Sequence, residues 1–439
     1  MKNQKLQSAQ TAAKRICPAP LFAINVESNI NILIEYQCPQ CGAPATLNET
    51  DRLICCEYCR VKSYLMQKDY FRFMLPNKAP DDKEIIFFPY WRFKGIFFAA
   101  STNGITHRLL DLSYQAIKST FFPASAGLRT QTLKMQFISP NTKGKFLKPQ
   151  ISINEVMDII NKRSSIKIGN VTGTLFHTTH IGESLSLIYA PFYLDKRLYD
   201  AVLNKPISNH LPDDFDIETL PGGSPAWSMR FIPTLCPHCG WDMEGDRDSL
   251  VLICKNCNSI RQPGRKELKP LKFIHIPGQG DNITYFPFYR IRAEISGLKL
   301  SSYADLARIA NMPKVIQKDW EERDFFFWTL GFKVRPKIFL RIQRDFTLLQ
   351  PQDNFKNSLP DSTMYPVTLP VKEAIEGLKI ILGSFIKPRS KISELSKIKI
   401  KPKSFLLVYI PFDKQHHEYI QPQYKICINR NMLSHAGNL

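Results

Sequence analysis

Short apolar segments, rich in aromatic and β-branched residues, recur along this chain of 439 residues. Four of them are IIFFPYWRFKGIFFAA at 85–100, SLSLIYAPFY at 184–193, KIFLRIQ at 337–343 and SFLLVYIPF at 404–412. Their length and composition predict β-strands. Proline within the first and the last of them removes a backbone donor, so we expect these strands at a sheet edge or a bulge.

Helical signals alternate with the strands. SINEVMDIINKR at 152–163 and PVKEAIEGLK at 370–379 are similar helical stretches, and SYADLA at 302–307 is typical of a helix start. Pro370 lies in a first turn, where the missing N–H has no partner to lose. Strands and helices together predict an α+β fold.

Eight of the eleven cysteines form four Cys-x-x-Cys pairs, and fourteen residues separate the two pairs of each half. The two groups are Cys38, Cys41, Cys56 and Cys59, and Cys236, Cys239, Cys254 and Cys257. Two residues between cysteines let both thiolates of a turn reach one ion, and two such turns complete a tetrahedron. Gly42 and Gly240 suit these turns because glycine tolerates a positive φ. A redox pair or an iron site with the same ligands is the alternative.

Both groups open with Cys-Pro-x-Cys-Gly, and residues 38–59 and 236–257 resemble zinc-ribbon proteins. The resemblance implies two structural Zn²⁺ per chain, each with all four positions filled by protein. Members of this group bind nucleic acid or protein, so the resemblance does not select a partner. Cys55, beside Cys56 in an apolar run, is expected to be a buried apolar residue rather than a ligand.

Two blocks of sequence occur twice. Phe88–Lys94 returns at Phe286–Arg292 with a shift of 198 positions, which also separates Cys38 from Cys236. The block at 184–192 returns at 404–412 with a shift of 220 positions. Such repeats indicate two copies of one domain type. We therefore predict a tandem duplication in which each half is a zinc ribbon followed by a mixed α+β body with edge strands.

The repeats divide the chain into consecutive parts. These are an N-terminal extension (1–35), zinc ribbon 1 (36–62), body 1 (63–205), a linker (206–233), zinc ribbon 2 (234–262) and body 2 (263–439). The linker is placed where proline, glycine and acidic residues cluster.

The charge balance is strongly basic, since 59 Lys and Arg against 39 Asp and Glu leave a formal net charge of +20. Such an excess attracts nucleic acid, an acidic protein or an anionic membrane surface. The polar N-terminal segment lacks the apolar core of a secretory signal, and no segment offers about 18 uninterrupted apolar residues for a membrane span. We therefore expect a cytoplasmic protein.

The repeated aromatic strand supplies one set of candidate binding residues. Alternate positions share a strand face, which in the two copies carries Tyr90, Arg92 and Lys94, and Phe288, Arg290 and Arg292. Rings and cations on one face suit single-stranded nucleic acid, because bases stack on rings and phosphates pair with cations. Alternatively, Trp91 and Phe93 enter the core and Arg92 pairs with a partly buried carboxylate or carbonyl.

A row of lysines is the second candidate. Alternation in KIKIKPK places the isoleucines on one strand face and, on the other, Lys397, Lys399, Lys401 and Lys403. Such a row binds phosphate, or it protects an edge strand from aggregation.

The sequence contains no phosphate-binding GxxxxGK[ST] loop, no GxGxxG, no GxSxG and no HExxH motif. It therefore favours a non-enzymatic zinc-binding protein whose basic surface engages an anionic partner, with nucleic acid as the first candidate. The alternative is a protein–protein adaptor or assembly scaffold that uses the ribbons and the aromatic edge strands.

Overall fold

The structure, a computed structural model, describes residues 33–434 except 67–68, 128, 168–173, 208–215, 224, 226, 228, 265–266 and 353. Within these residues the protein is a mixed α+β fold with two four-cysteine groups. Most of the N-terminal extension predicted for 1–35 lies outside the described residues. None of the described helices combines the length and apolar character that crossing a bilayer requires.

Strands dominate the first half of the chain. They are β1 (Leu33–Gln37), β2 (Pro44–Asn48), β3 (Leu53–Cys55), β4 (Lys62–Met66), β5 (Phe71–Met74), β6 (Ile86–Ser101), β7 (Gly104–Gln115), β8 (Met135–Phe137), β9 (Lys145–Leu147), β10 (Leu175–Asp195), β11 (Arg197–Asp200), β12 (Lys205–Pro206), β13 (Gly222–Gly223) and β14 (Arg230–Pro233). The helices are α1 (Arg129–Thr132), α2 (Ile153–Lys167) and a 3₁₀ helix (Ile217–Thr219). Among the described residues, β3, β4 and β14 form a small sheet, and the other eleven strands form a large one.

The second half contains more helix. Its strands are β15 (Leu252–Cys254), β16 (Ser259–Pro263), β17 (Leu268–Leu271), β18 (Phe273–His275), β19 (Ile283–Ser296), β20 (Phe327–Leu330), β21 (Thr363–Met364), β22 (Lys399–Lys414), β23 (Glu418–Gln421) and β24 (Ile426–Asn429). Its helices are α3 (Tyr303–Ile309), α4 (Asp319–Glu322), α5 (Pro336–Leu349), α6 (Val371–Glu376), α7 (Leu378–Phe385), α8 (Arg430–Ser434) and a 3₁₀ helix (Arg389–Ser396). β15, β16 and β17 form one sheet, and β18 to β24 form the other.

The centres of the two large sheets have the same strand arrangement. The order β9-β6-β10-β5 in the first half corresponds to β21-β19-β22-β18 in the second. In both, the two long central strands are antiparallel, and each is flanked by a strand that runs parallel to it.

The registers of the central strands also agree. Pro89 lies opposite Tyr189, and Pro287 lies opposite Tyr409, which are the residues expected from shifts of 198 and 220 positions. Between β6 and β10, a register shift directly follows the pairing of Lys94 with Ser184. Between β19 and β22, a register shift directly follows the pairing of Arg292 with Ser404. The sequence blocks that repeat are therefore paired in the same way in both halves.

The prolines do not place these strands at an edge. β6 and β22 both lie inside their sheets, and the register shifts occur away from Pro89 and Pro411, so the edge-strand prediction is wrong. On one side of β6, pairing with β9 ends at Phe87 and pairing with β7 begins at Tyr90. Pro89 lies in the gap between these two neighbouring strands. Pro411 lies in the same kind of gap between β18 and β23. A central strand tolerates a missing N–H where one neighbouring strand ends before the next begins.

The segment KIFLRIQ, predicted as a strand, belongs instead to α5. Pro336 occupies the first turn of this helix, and the buried residues Phe339, Ile342 and Phe346 recur at spacings of three and four. This is the helical period, which a window of seven residues is too short to distinguish from a buried strand.

The predicted helices are confirmed. Ser302 caps α3 by accepting a hydrogen bond from the backbone N–H of Asp305, and the Asp305 side chain completes a capping box. Pro370 directly precedes α6, and the stretch at 152–163 lies largely within α2.

The two halves pack tightly against each other. Ile96, Phe98 and Ile181 of the first half belong to the same buried cluster as the core of the second half. Thr179 donates a hydrogen bond to the carbonyl of Glu376 at the end of α6. A side chain at Gly377 would collide with Ile181. The first sheet therefore extends under the helices of the second half.

Part of the predicted linker at 206–233 also adds strands to the first half. β13 pairs with β9, and β14 pairs with β4, which pairs with β3 and extends the first ribbon beyond its predicted end at 62. The chain thus contributes to the first ribbon immediately before it enters the second.

Candidate metal centres and charged surfaces

Short strands position both cysteine groups. In the first ribbon, β1 ends directly before Cys38 and β3 ends directly before Cys56. In the second ribbon, Cys236 follows shortly after β14, and Cys254 is the last residue of β15.

The sulfur atoms of each group lie at the corners of a compact cluster in which all four are within 4.8 Å of one another. Neighbouring sulfurs are 3.4 to 3.7 Å apart, as measured between Cys38 and Cys59, Cys41 and Cys56, Cys236 and Cys257, and Cys239 and Cys254. A tetrahedral ion with metal–sulfur bonds of about 2.3 Å requires sulfurs about 3.8 Å apart. Each group can therefore hold one tetrahedral ion, and Cys55 is not a member of either.

Each of the four cysteine turns is followed by a residue with positive φ. Gly42 (φ +73°) and Gly240 (φ +72°) confirm the prediction for the first turn of each ribbon. The N–H of Gly42 donates to the carbonyl of Cys38, and that of Gly240 to Cys236. In the second turns this place is taken by Arg60 (φ 62°) and Asn258 (φ 50°).

The thiols of each group have unequal pKa values. Burial and the neighbouring thiols raise the pKa of Cys254. The N–H of Val61 lowers the pKa of Cys59, but burial and the neighbouring thiols together raise it above its usual value. Backbone N–H groups of Cys59 and Tyr58 hold the pKa of the Cys56 thiol below its usual value. At Cys236 burial acts in the opposite direction, but N–H groups of Cys239 and His238 still lower the pKa. In the two groups the backbone donors therefore favour the thiolate, which is the metal-binding form, at Cys56 and at Cys236.

The two ribbons lie side by side. β4 of the first ribbon pairs with β14, which leads into the second, with Ser63 opposite Pro233. Lys62 Nζ lies 2.7 Å from Asp242 Oδ2. The Tyr64 hydroxyl donates to the carbonyl of Ser249 at 3.1 Å. The metal groups are thus joined through strands as well as through side chains.

Arg92 lies at the centre of a buried ion-pair network. Its Nη1 donates to Glu49 Oε1 at 2.9 Å, while its Nε and Nη2 donate to the two carboxylate oxygens of Asp111 at 2.9 and 2.8 Å. Burial opposes the charge of this guanidinium, yet the hydrogen bonds to Asp111 and the charge of Glu49 raise the pKa of Arg92 above its usual value. Trp91 and Phe93 are buried on either side. Since Glu49 belongs to ribbon 1, the network connects the ribbon to β6 and β7.

Arg290, at the equivalent position of the second half, has different surroundings. Its guanidinium carbon lies 3.7 Å from the ring centre of Phe326, a cation–π contact. Its Nε has no hydrogen-bond partner among the described residues. Burial lowers the pKa of Arg290, although Asp324 opposes the shift. The same sequence position thus carries an ion pair in one half and a ring contact in the other.

The remaining residues proposed for the aromatic strand are divided between core and surface. Tyr90 and Phe288 are fully buried. Lys94 is half-buried. Arg292 is exposed and forms an ion pair with Asp324, with Nη2 3.1 Å from Oδ1. Hence these residues do not form one exposed face of rings and cations.

The predicted lysine row is exposed along its whole length. Lys397 lies just before β22, and Lys399, Lys401 and Lys403 lie in the first five residues of that strand. Ile398 is buried beneath them. Lys403 forms an ion pair with Glu294 on β19.

Several residues of these sites carry no local sequence signal. Glu49 and Asp111 are 43 and 19 positions from Arg92, so their pairing depends on the tertiary fold.

Tyr58 and Trp241 are exposed aromatic residues of the ribbon turns. Their apolar character within a turn was a signal available in the sequence.

Comparison of the chain with protein-family models, with curated proteins and with solved structures found no match.

Proposed function

We propose that this protein is a non-enzymatic nucleic-acid-binding protein, in which two structural Zn²⁺ ions organise a duplicated fold and an exposed basic surface binds the phosphates. The observation that carries the proposal is a concentration of exposed cations between 387 and 403. Seven basic residues and one carboxylate occur in this stretch, and the seven are Lys387, Arg389, Lys391, Lys397, Lys399, Lys401 and Lys403. They are called the basic face below.

The chemistry of the cysteine groups supports zinc. Four thiolates at tetrahedral spacing fill every position, and zinc accepts this donor set without a geometric preference of its own. A closed site of this kind supplies folding energy rather than a vacant position for substrate. The residues that would hold the two ions are the eight cysteines of the two groups.

The equal registers of the two central strand pairs support a tandem duplication. Independent origins would have to produce the same pairing of Pro89 with Tyr189 and of Pro287 with Tyr409 by chance. In an experimental structure, 86–94 and 184–192 should superpose on 284–292 and 404–412. Failure of these segments to superpose would contradict the duplication.

The backbone of the basic face is attached to the core. Ile392, Leu395 and Ile398 are buried beneath it and attach it to the core shared by both halves. Arg389 packs against Gly104 at the turn between β6 and β7, where any side chain would meet its guanidinium. The core therefore fixes the backbone positions from which these exposed side chains extend, and a row of closely spaced cations suits a repeated anionic ligand such as a phosphate backbone.

Neutralising part of the basic face should weaken binding in a salt-dependent way. We expect the triple variant Lys399→Gln, Lys401→Gln, Lys403→Gln to bind a single-stranded oligonucleotide about tenfold or more weakly at low salt. Its plot of log affinity against log salt should be shallower by about 2, because three phosphate contacts are lost. Fluorescence anisotropy at several salt concentrations measures both quantities.

A matched control carries the same change of net charge elsewhere. Lys78, Lys143 and Lys148 are exposed lysines of the first half, and their replacement by Gln should leave the salt slope close to that of the native protein. An equal loss in both variants would show that net charge alone matters. Unchanged binding in the first variant would remove the basic face as the site.

A further inference from the structure

Four large apolar side chains are exposed on the ribbon turns. On the second turn of ribbon 1, Tyr58 is 68% exposed and Val61 is 40% exposed. On the first turn of ribbon 2, Leu235 is 56% exposed and Trp241 is 59% exposed. We call these four residues the ribbon-tip surface.

The two turns are neighbours in space. Lys62, next to Val61, forms its ion pair with Asp242, next to Trp241. Asp242 also accepts a hydrogen bond from Thr234 at 2.7 Å, and it is bridged to Leu235 through the backbone. The ribbon-tip surface is therefore assembled from both ribbons and requires both to be folded.

The outer turns of the same two ribbons lack these side chains. At the positions equivalent by the 198-residue shift, Gln37 and Ala43 correspond to Leu235 and Trp241, and Asn256 and Ser259 correspond to Tyr58 and Val61. Since both kinds of turn hold their cysteines equally well, folding of a ribbon does not require apolar residues there. Exposed apolar side chains confined to the two adjoining turns mark an interaction surface.

The charges around this surface disfavour a phosphate-bearing ligand. Lys62 and Asp242 are paired, as are Lys255 and Glu244, and the second turn of ribbon 1 carries one acidic and one basic residue, Glu57 and Arg60. A divalent ion bound by the four thiolates of each group would give a net charge of about −2, so the metal-loaded protein would be negative beneath the surface. An apolar segment flanked by cations complements this arrangement, because the apolar side chains cover the rings and the cations face the metal centres.

We propose that the ribbon-tip surface docks a protein partner that presents an apolar or aromatic segment flanked by lysine or arginine. Trp241 and Tyr58 are the central contacts, since large rings contribute most of the binding energy at such surfaces. This docking is independent of nucleic-acid binding at the basic face.

The test uses the full-length metal-loaded protein and a displayed library of random 12-residue peptides. Selected peptides should contain apolar or aromatic residues with flanking Lys or Arg. The variant Tyr58→Asn, Val61→Ser, Leu235→Gln, Trp241→Ala places on the inner turns the residues that the outer turns already carry, so it should keep both metals. It should bind the selected peptides about tenfold or more weakly.

The control variant Leu109→Ser, Leu203→Ser removes two exposed leucines outside the ribbons and should bind the peptides as the native protein does. Equal binding by the native and four-residue variants would overturn the proposal, as would selection of acidic peptides. If a single-stranded oligonucleotide competes with the peptides and loses affinity in the four-residue variant, the surface stacks bases instead.

Discussion

Replacement of Arg92 by alanine is expected to lower the free energy of unfolding by about 3 to 5 kcal/mol. The change removes the cation that is hydrogen-bonded to buried Glu49, and it removes both hydrogen bonds to Asp111. The charges of Arg52 and Lys333 remain near Glu49. Taking one partner out of a buried ion pair is costly because the other charge is neither solvated nor neutralised. Urea denaturation of the native protein and the variant measures the difference.

Arg290→Ala is the matched control for this substitution. The equivalent arginine of the second half lies over Phe326, so its removal should cost only about 1 to 2 kcal/mol. Combining Arg92→Met with Glu49→Gln should recover part of the stability, since Glu49 then carries no charge and only the partly exposed Asp111 is left without its cation. Equal losses for Arg92→Ala and Arg290→Ala would show that the network with Glu49 and Asp111 contributes little.

Removal of the second metal centre is expected to disrupt the first ribbon as well. The double variant Cys236→Ser, Cys254→Ser should bind one metal ion fewer and lose folding energy of order 10 kcal/mol in ribbon 2. Cys236 and Cys254 share a buried cluster with Tyr64 of β4, and β14 is the pairing partner of that strand. Backbone amides of β4 should therefore exchange with solvent faster in the variant.

Elemental analysis and hydrogen exchange together measure this prediction. Cys427→Ser is the control, because Cys427 is exposed and lies outside both groups. It should retain two ions and native exchange rates. If the double variant keeps full protection of Tyr64 and Leu65, the two ribbons fold independently.

Local features of the sequence were sufficient to predict much of the fold. The cysteine spacing selects the two groups without reference to the rest of the chain, because each turn is closed by its own backbone. Capping at Ser302 and the proline before α6 are equally local. The apolar segments around Phe88 and Leu407 form strands, as predicted, although these strands lie in the centres of their sheets and not at an edge.

Features that depend on distant residues were not predictable in this way. A strand that contains proline can lie inside a sheet where a neighbouring strand ends beside the proline, and the sequence around Pro89 does not show where its neighbours end. The helix α5 was missed because its period becomes visible only when Phe346 is included. The sequence offered pairing of Arg92 with a buried carboxylate as one alternative, but it did not identify Glu49 and Asp111, which come from other elements. The ribbon-tip surface exists only because β14 brings the two ribbons together.

The pairing of β4 with β14 has a consequence for synthesis of the chain on the ribosome. β4 ends at Met66 and β14 ends at Pro233, so the first ribbon acquires its last strand only after about 10 to 30 s of further translation. Burial of three apolar residues occurs later still, because α6 and α7 must first be synthesised to cover Ile96, Phe98 and Ile181. The nascent chain therefore exposes an incompletely covered, aggregation-prone sheet during much of its synthesis. Binding of a chaperone would protect the chain most in this period.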